Sequence, residues 1–142
     1  MFDAIRSSVS ALHASSEALS VRADNVANVR TTARLDEVDL SPAARRAASE
    51  PPDNVFRPSA PTFVSVRDGG VDVAVERRDP SHRVGFDPGD PKSDGEGRVA
   101  VPNVDLAEEI VGTIQDRTMF VANAAVIRAS DEMAGALLDE EA

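Results

Sequence analysis

Residues 2–29, FDAIRSSVSALHASSEALSVRADNVANV, carry the most regular apolar pattern of the chain. The apolar positions alternate steps of three and four residues, as the a and d positions of a heptad repeat do. They are Phe2, Ile5, Val9, Leu12, Ser16, Leu19, Ala23 and Val26, of which Ser16 alone is polar. A helix of this length spans about 40 Å, and its stripe is too narrow for burial inside a small globule. The stretch predicts a long N-terminal helix, placed at residues 1–30.

The segment that follows loses this pattern. Residues 31–61 are rich in Ser, Pro, Ala and charged side chains, which is typical of a linker. Leu35, Val38 and Leu40 are its candidates for local docking. We therefore expect a Pro/Ser-rich linker here.

Residues 62–101 predict a small β segment. Residues 62–67 and the alternating Val71, Val73 and Val75 flank a Gly-rich turn, as the strands of a hairpin do. The stretch RVGFDPGDPKSDGEGRVAV then predicts a short strand, a loop punctuated by Pro and Gly, and a further short strand.

Residues 102–142 predict a second long helix. Asn103 or Asp105 is the candidate N-cap, and Glu108 and Glu109 fall in the first turn, where the helix dipole favours carboxylates. If Asp105 caps the helix, Glu108 stands at the N3 position of a capping box. The apolar stripe comprises Leu106, Ala107, Ile110, Val111, Ile114, Val121, Ala125, Ala129, Met133 and Leu137. Its drift fits steps of eleven better than seven.

These segments predict an α+β fold. The long N- and C-terminal helices pair as a coiled-coil-like stem, joined by the linker and a small β-rich middle segment. Pairing one helix with the other covers only part of each apolar stripe, so the remainder is expected to contact other molecules. The pattern is typical of an assembly subunit.

Composition and charge exclude several classes of function. The 142 residues carry 15 basic and 25 acidic side chains, a net charge of −10, and no segment is basic, so nucleic-acid binding is not expected. The sequence lacks a run of apolar residues long enough for membrane insertion. It also lacks cysteine, and its first residues do not resemble a cleaved secretory signal.

The sequence shows no pattern of residues that predicts a catalytic, cofactor-binding, metal or small-molecule site. Two histidines, His13 and His82, are too few for a histidine-rich metal site. The loop DPGDPKSDGEG departs from a calcium-binding EF-hand loop, because counting from Asp90 puts Lys92 and Val101 where oxygen ligands are needed. A small hydrolase-like enzyme would have to act without any visible constellation of catalytic residues.

Two groups of residues match known motifs. In ADNVANVRTT, residues 23–32, the matching positions are Asn25, Ala27, Asn28 and Thr31. Before and within the last helix they are Asp87, Pro88, Gly89, Pro102, Asn103, Val104, Asp105, Glu108 and Asn123. In both groups the sequence resembles the flagellar axial proteins, the family of rod and hook subunits, and most closely its proximal rod members. Phe86 and Phe120, where Tyr is usual, mark it as a divergent member.

The resemblance implies a structural role in the bacterial flagellum. It implies a basal-body rod subunit that polymerises through its terminal helices into the drive shaft carrying torque from rotor to hook. The implied partners are further copies of the chain, other rod subunits, the rotor-side MS-ring adaptor and the flagellar type III export apparatus. The implied location is the periplasm-spanning rod, reached without a cleaved signal peptide. The alternatives are another flagellar axial subunit and a cytosolic coiled-coil binding or adaptor protein.

The apolar stripes supply the expected subunit interface. Its candidate residues are Ile5, Val9, Leu12, Leu19, Val26, Ile110, Ile114 and Val121.

The resemblance also bears on Asn25 and Asn28, whose short amides are unfavourable inside helices. Both are expected at or near the end of the first helix. They either mark a plain helix C-terminus, where Asn is common, or bond across a helix–helix seam and fix its register.

Overall fold

The computed structural model describes residues 2–38, 55–67 and 69–140 of the chain. Along the chain, the helices and strands are α1 (Phe2–Asn28), α2 (Leu35–Val38), β1 (Ser59–Ser65), β2 (Val71–Arg77), β3 (His82–Phe86), β4 (Arg98–Pro102) and α3 (Leu106–Glu140). The two long terminal helices and the small β segment between them confirm the predicted α+β class.

The β segment consists of two separate antiparallel hairpins. In the first, β1 pairs with β2 and Phe63 stands opposite Val73; in the second, β3 pairs with β4 and Val84 stands opposite Ala100. The predicted hairpin is present, although Asp68 of its turn lies outside the described residues, and the two further predicted strands pair with one another as a second hairpin.

Two features appear in the segment expected to be linker. Strand β1 begins at Ser59, because the backbone of that residue is held by the side chain of Asn25 on α1. Leu35 and Val38 are half-buried in the short helix α2, which packs beside β4. The predicted docking of Leu40 lies outside the described residues.

Helices α1 and α3 form an antiparallel stem. Arg22 reaches Asp116, whereas Asn25, further along α1, reaches the earlier Glu109. The β1–β2 hairpin also packs against α1. Ser10 fastens the hairpin by accepting the backbone N–H of Val71 at 3.1 Å.

The seam between the two helices is built from small and polar side chains rather than from the apolar stripes. On α1 the buried residues of this seam are Ser8, Ala11, Ser15, Ala18 and Asn25, and on α3 they are Glu109, Gly112, Asp116 and Ser130. They follow the heptad spacing, but on α1 each stands one position before a member of the predicted stripe. Small side chains allow the helix axes to approach closely, and this approach leaves the larger apolar residues at the edges.

The first prediction concerns Gly70, at the turn of the hairpin that packs on α1. Its φ of +136° is a conformation that L side chains rarely adopt, and an added Cβ would lie 2.6 Å from the hydroxyl oxygen of Ser10. We expect Gly70→Ala to displace Ser10 and to lower the free energy of unfolding by about 2–4 kcal/mol, combining backbone strain with lost hydrogen bonds. Urea titration followed by circular dichroism measures this.

The matched control is Gly69→Ala. Gly69 also has a positive φ, +75°, but a Cβ there would meet open space. In this variant only backbone strain should lower the free energy of unfolding, by about 1 kcal/mol. Equal losses in the two variants would show that the contact with Ser10 does not hold the hairpin.

Candidate assembly interface

The apolar stripe of α1 lies beside the stem seam. Val9 and Val26 are 39% and 37% exposed, and Ile5, Leu12 and Leu19 are half-buried. One position along a helix is a turn of about 100° around its axis. The stripe therefore forms an apolar edge that flanks the seam and faces solvent.

Helix α3 presents a larger apolar surface. Ile110, Ile114 and Val121 are 49%, 60% and 59% exposed. Ile114 and Val121 border an open groove of about 370 Å³, whose lining is completed by Arg117, Thr118 and Ala122. Further exposed apolar residues along the helix are Leu106, Val111, Phe120, Val126, Met133, Leu137 and Leu138. Monomeric proteins rarely expose many large apolar side chains on one element, so this surface is a candidate for contact with another molecule.

Next to these edges, a charged cluster joins α1, α3 and the end of β2. We call it the Glu109 cluster, and its members are Arg22, Asn25, Arg78, Glu109 and Asp116. The Glu109 carboxylate is fully buried, and its two oxygens accept three donors. Oε1 accepts Asn25 Nδ2 and Arg78 Nη2, each at 2.9 Å, and Oε2 accepts Arg22 Nη1 at 3.3 Å. Several charge-assisted hydrogen bonds are what a buried carboxylate requires to offset its desolvation.

Arg22 lies over Gly112 on the opposite helix. A Cβ at Gly112 would collide with the guanidinium group. The same group donates through Nε to Asp116 Oδ2 at 2.7 Å. One arginine on α1 therefore bridges two carboxylates on α3, and the absence of a side chain between them makes room for it.

The start of α3 carries a helix cap, as predicted, and a buried glutamate whose contacts were not predicted. Asp105 is the N-cap, since its Oδ1 accepts the backbone N–H groups of Ala107 and Glu108 at 2.9 and 3.2 Å. Glu109 lies in the first turn of α3 as predicted, where its charge interacts favourably with the helix dipole. Its carboxylate is also the centre of the Glu109 cluster, which was not predicted.

Glu108 pairs with an arginine instead of completing a capping box. Both of its oxygens accept Arg78, from Nη1 and Nη2, at 3.0 Å each. These hydrogen bonds hold the pKa of Glu108 below its ordinary value of 4.5. They also raise the pKa of Arg78.

Asn25 forms a hydrogen bond across the seam between α1 and α3, which is the second of the two roles considered for the asparagines. Besides its bond to Glu109, its Nδ2 donates to the carbonyl oxygen of Ser59 at 2.7 Å, and its Oδ1 accepts the Ser59 N–H at 3.2 Å. The buried amide thus joins both helices to the first strand.

Asn28 fits the other interpretation, a helix C-terminus. Its side chain donates to the carbonyl oxygen of Asp24 on the same helix at 2.9 Å. Thr31 then closes the helix end by donating its hydroxyl to the Asn28 carbonyl at 2.8 Å. Ala27, between the two asparagines, is exposed.

The loop between β3 and β4 is a series of aspartate turns. Each of three aspartates accepts the backbone N–H of the residue two positions later. The pairs are Asp87 with Gly89 at 3.1 Å, Asp90 with Lys92 at 2.7 Å, and Asp94 with Glu96 at 2.9 Å. Pro88 fixes the backbone inside the first turn. These carboxylates organise the loop itself, and in the described part of the chain no group of three or more His, Asp or Glu residues is placed to hold a metal ion.

The same loop is tied to the residues that follow α1. Lys92 Nζ donates to the carbonyl oxygen of Thr32 at 2.6 Å. The Thr32 hydroxyl donates to Asp90 and lowers the pKa of that carboxyl group. Ala33 and Ala100 exchange two backbone hydrogen bonds of 2.9 Å. The two predicted motifs therefore meet in space although they are distant in sequence.

The remaining motif residues lead the chain into α3. Pro102 and Val104 are buried. Asn103 donates its backbone N–H to Ser81 at 2.9 Å and its side-chain amide to Pro80 at 3.0 Å. Asn123 is half-buried and donates to Met119 one turn earlier at 2.8 Å.

Sequence reasoning missed Arg22, Arg78 and Asp116. Arg22 lies 94 residues from Asp116, so no local spacing points to their contact. One feature of the sequence points to Arg22. It stands at the next position of the Ser/Ala heptad series that forms the seam on α1, and it is the one basic residue in that series.

The second prediction separates the two asparagines. Asn25→Ala removes a donor from Glu109 and leaves the Ser59 backbone groups unpaired, so we expect a loss of about 2–3 kcal/mol in the free energy of unfolding. Asn28→Ala removes one exposed bond and should change stability by less than about 0.5 kcal/mol. Urea titration of the two purified variants gives both values. Similar losses would contradict a special role for the buried amide.

The third prediction concerns acid stability. The pKa of Glu108 is lower in the folded chain than its ordinary 4.5, so its pairing with Arg78 stabilises the fold above pH 4.5 and is lost as the pH falls further. Glu108→Gln should therefore flatten the fall of stability below pH 4.5. Urea titrations at several acidic pH values measure the slope, with Glu17→Gln, an exposed carboxylate on α1, as the control. A slope equal to that of the control would contradict the pairing.

None of the helices in the described residues is both long enough and apolar enough to cross a membrane.

Comparison with known proteins identifies a family for the chain. The family model described as "Flagellar basal body rod FlgEFG protein C-terminal" matches residues 96–140, which include β4 and α3. The flagellar basal-body rod protein FlgC of Yersinia enterocolitica is 34% identical over 125 residues, covering 87% of this chain and 85% of the relative. The FlgC proteins of Escherichia coli O6:H1 and Salmonella typhimurium are each 32% identical over 126 residues, with the same coverage. The chain belongs to the FlgC family of flagellar basal-body rod proteins.

Proposed function

We propose that this structural rod subunit occupies the proximal part of the rod and polymerises through the exposed edges of α1 and α3. The observation that carries the proposal is the separation of two surfaces. The stem is closed by a seam of small and polar side chains, and the apolar stripes beside it stay half-buried to exposed. A chain that folded only for itself would gain by burying these stripes.

The spacing of the stripes suits helix-to-helix contact. On α1, steps of three and four residues match the grooves between turns of a neighbouring helix. On α3, Ile114 and Val121 stand seven residues apart, and both line one open groove. Burying one such side chain contributes about 1.5–3 kcal/mol, so a few of them stabilise a subunit contact.

The two edges differ from one another, which favours head-to-tail assembly. A contact between the edge of α1 on one subunit and that of α3 on the next is heterologous, and repeated heterologous contacts generate a helical array. The assembled array would act as a torque-carrying shaft from rotor to hook. The candidate interface residues on α1 and α3 are the contacts of this proposal.

The proposed partners and location rest on the family resemblance. We propose contacts with other rod subunits and with the rotor-side MS-ring adaptor, and passage through the flagellar type III export apparatus to the periplasm-spanning rod. The relatives are rod proteins, and we propose that this chain likewise has no catalytic role.

The test is deletion of the gene with complementation. Swimming is scored, and basal bodies are purified and viewed by electron microscopy. Basal bodies that stop short of a complete rod, and that are restored by the wild-type gene, support the proposal. Complete rods and normal swimming in the deletion strain would overturn it.

The fourth prediction places a charge on the stripe. Ile114→Glu should leave the stability of the isolated chain within about 0.5 kcal/mol of wild type, because this side chain is mostly exposed. In cells the same variant should fail to restore rods and swimming, since assembly would bury an unpaired carboxylate.

Gln115→Glu is the matched control for that variant. It adds the same charge one position along the helix, at an exposed residue about 100° around the helix from Ile114, where it lines a groove with Val111 and Gly112. We expect it to restore swimming. Rescue by both variants would contradict burial of Ile114, and failure of both would assign the effect to charge rather than to the stripe.

A further inference from the structure

We propose that the Glu109 cluster selects the register in which α1 pairs with α3. The structure shows one register, with Arg22 opposite Gly112. Glu109 and Arg22 act here as positioning residues, since they fix how far one helix is displaced along the other. The inference concerns the folded chain and does not rest on the proposed function.

The rest of the seam on α1 has little power to choose a register. Its buried residues toward the N-terminus are Ser8, Ala11, Ser15 and Ala18, which differ little in size. The Ser15 hydroxyl is buried without a hydrogen-bond partner. A slip of one heptad in one direction would place Ser or Ala at three of these four positions. In the other direction it would place Ser or Ala at two of them and the cluster residues Arg22 and Asn25 at the other two. Packing of small side chains therefore gives similar contacts in several registers.

The cluster distinguishes between registers because its partners are unique. In the observed pairing the guanidinium of Arg22 occupies the space that a side chain at Gly112 would fill, and it reaches both Glu109 and Asp116. A slip of one heptad in one direction would bring Arg22 opposite Met119, where a side chain fills that space. Glu109 would then be buried without Arg22, which is the costly state for a carboxylate.

Through Asn25, the register of the helices also affects the position of the β segment. The amide that contacts Glu109 also holds both backbone groups of Ser59, and Arg78 at the end of β2 contacts the same carboxylate. A wrong register would therefore separate the first hairpin from α3 as well.

The register determines the relative height of the exposed apolar edges of α1 and α3 along the stem. A slip of one heptad moves α1 along α3 by about 10 Å. The apolar stripe of α1 would then stand at a different height relative to Ile114 and Val121. Two subunits in different registers would present different surfaces to their neighbours.

To test the proposal, the charged residues of the cluster are replaced by apolar ones, and the register of α1 against α3 is measured by disulfide cross-linking. The variant carries Arg22→Met, Glu109→Met and Asp116→Val in the full chain. Removal of all three charges leaves none of them stranded, so the stem can remain folded. Because the chain has no cysteine, introduced cysteine pairs are the only thiols, and oxidation reports which positions meet.

The cysteine pairs follow from counting in opposite directions from Arg22 and Gly112. Ala11 falls opposite Asn123, and Ala4 falls opposite Ser130. Ala11→Cys with Asn123→Cys therefore reports the observed register. Ala11→Cys with Ser130→Cys and Ala4→Cys with Asn123→Cys report slips of one heptad in the two directions. A slip of about 10 Å exceeds the reach of a disulfide.

With the natural cluster, we expect the observed-register pair to form disulfide faster than either slipped pair by a factor of about 100 or more, because slipping strands a buried charge. With the apolar variant, we expect at least one slipped pair to approach the observed-register pair within about threefold, while circular dichroism shows an intact stem. Ser15→Ala, which removes a seam hydroxyl and no charge, should keep the natural preference.

Three results would overturn the proposal. The apolar variant could retain the natural preference, which would assign register to packing or to the connecting segments. It could lose its helical signal, which would make the cluster a source of stability instead. The natural chain could form all cross-links at similar rates, which would show that its register is not selected.

Discussion

A buried carboxylate that must be fully hydrogen-bonded is the constraint on which the structure depends. Glu109 is enclosed by two helices and the end of a strand, and it accepts donors from Arg22, Asn25 and Arg78. An isolated charge in this place would be very unfavourable. The three donors come from different parts of the chain, so satisfying the carboxylate brings those parts together.

This arrangement divides two tasks between two sets of residues. The polar cluster and the small seam define how the chain folds on itself, and the apolar stripes remain available beside them. The division is physically reasonable for a subunit of an assembly. Apolar contacts supply most of the free energy of association, whereas hydrogen-bonded charges supply directional specificity.

The long helices, the first hairpin and a helix cap at Asn103 or Asp105 could be predicted from the sequence because each depends on neighbouring residues. The heptad of α1, the Gly-rich turn before Val71 and the aspartate at the start of α3 are all local signals. The seam could not be predicted in the same way. Large apolar residues dominate a search for heptads, and the Ser/Ala series that packs the stem runs one position earlier with the same period. The contacts of Arg22 and Arg78 depend on tertiary structure and leave no local pattern.

The unequal lengths of the two long helices have a further consequence. α1 has 27 residues and α3 has 35, and the antiparallel count places Phe2 opposite residue 132. The last turns of α3, with the exposed Met133, Leu137 and Leu138, therefore extend about 12 Å past the helix that supports the rest. A single helix this short is marginal in water, so the amide hydrogens of these turns should exchange with solvent before those of the stem. Once a neighbour covers them, the same amides would be protected, and the tip of α3 would report whether the adjoining position in the shaft is occupied.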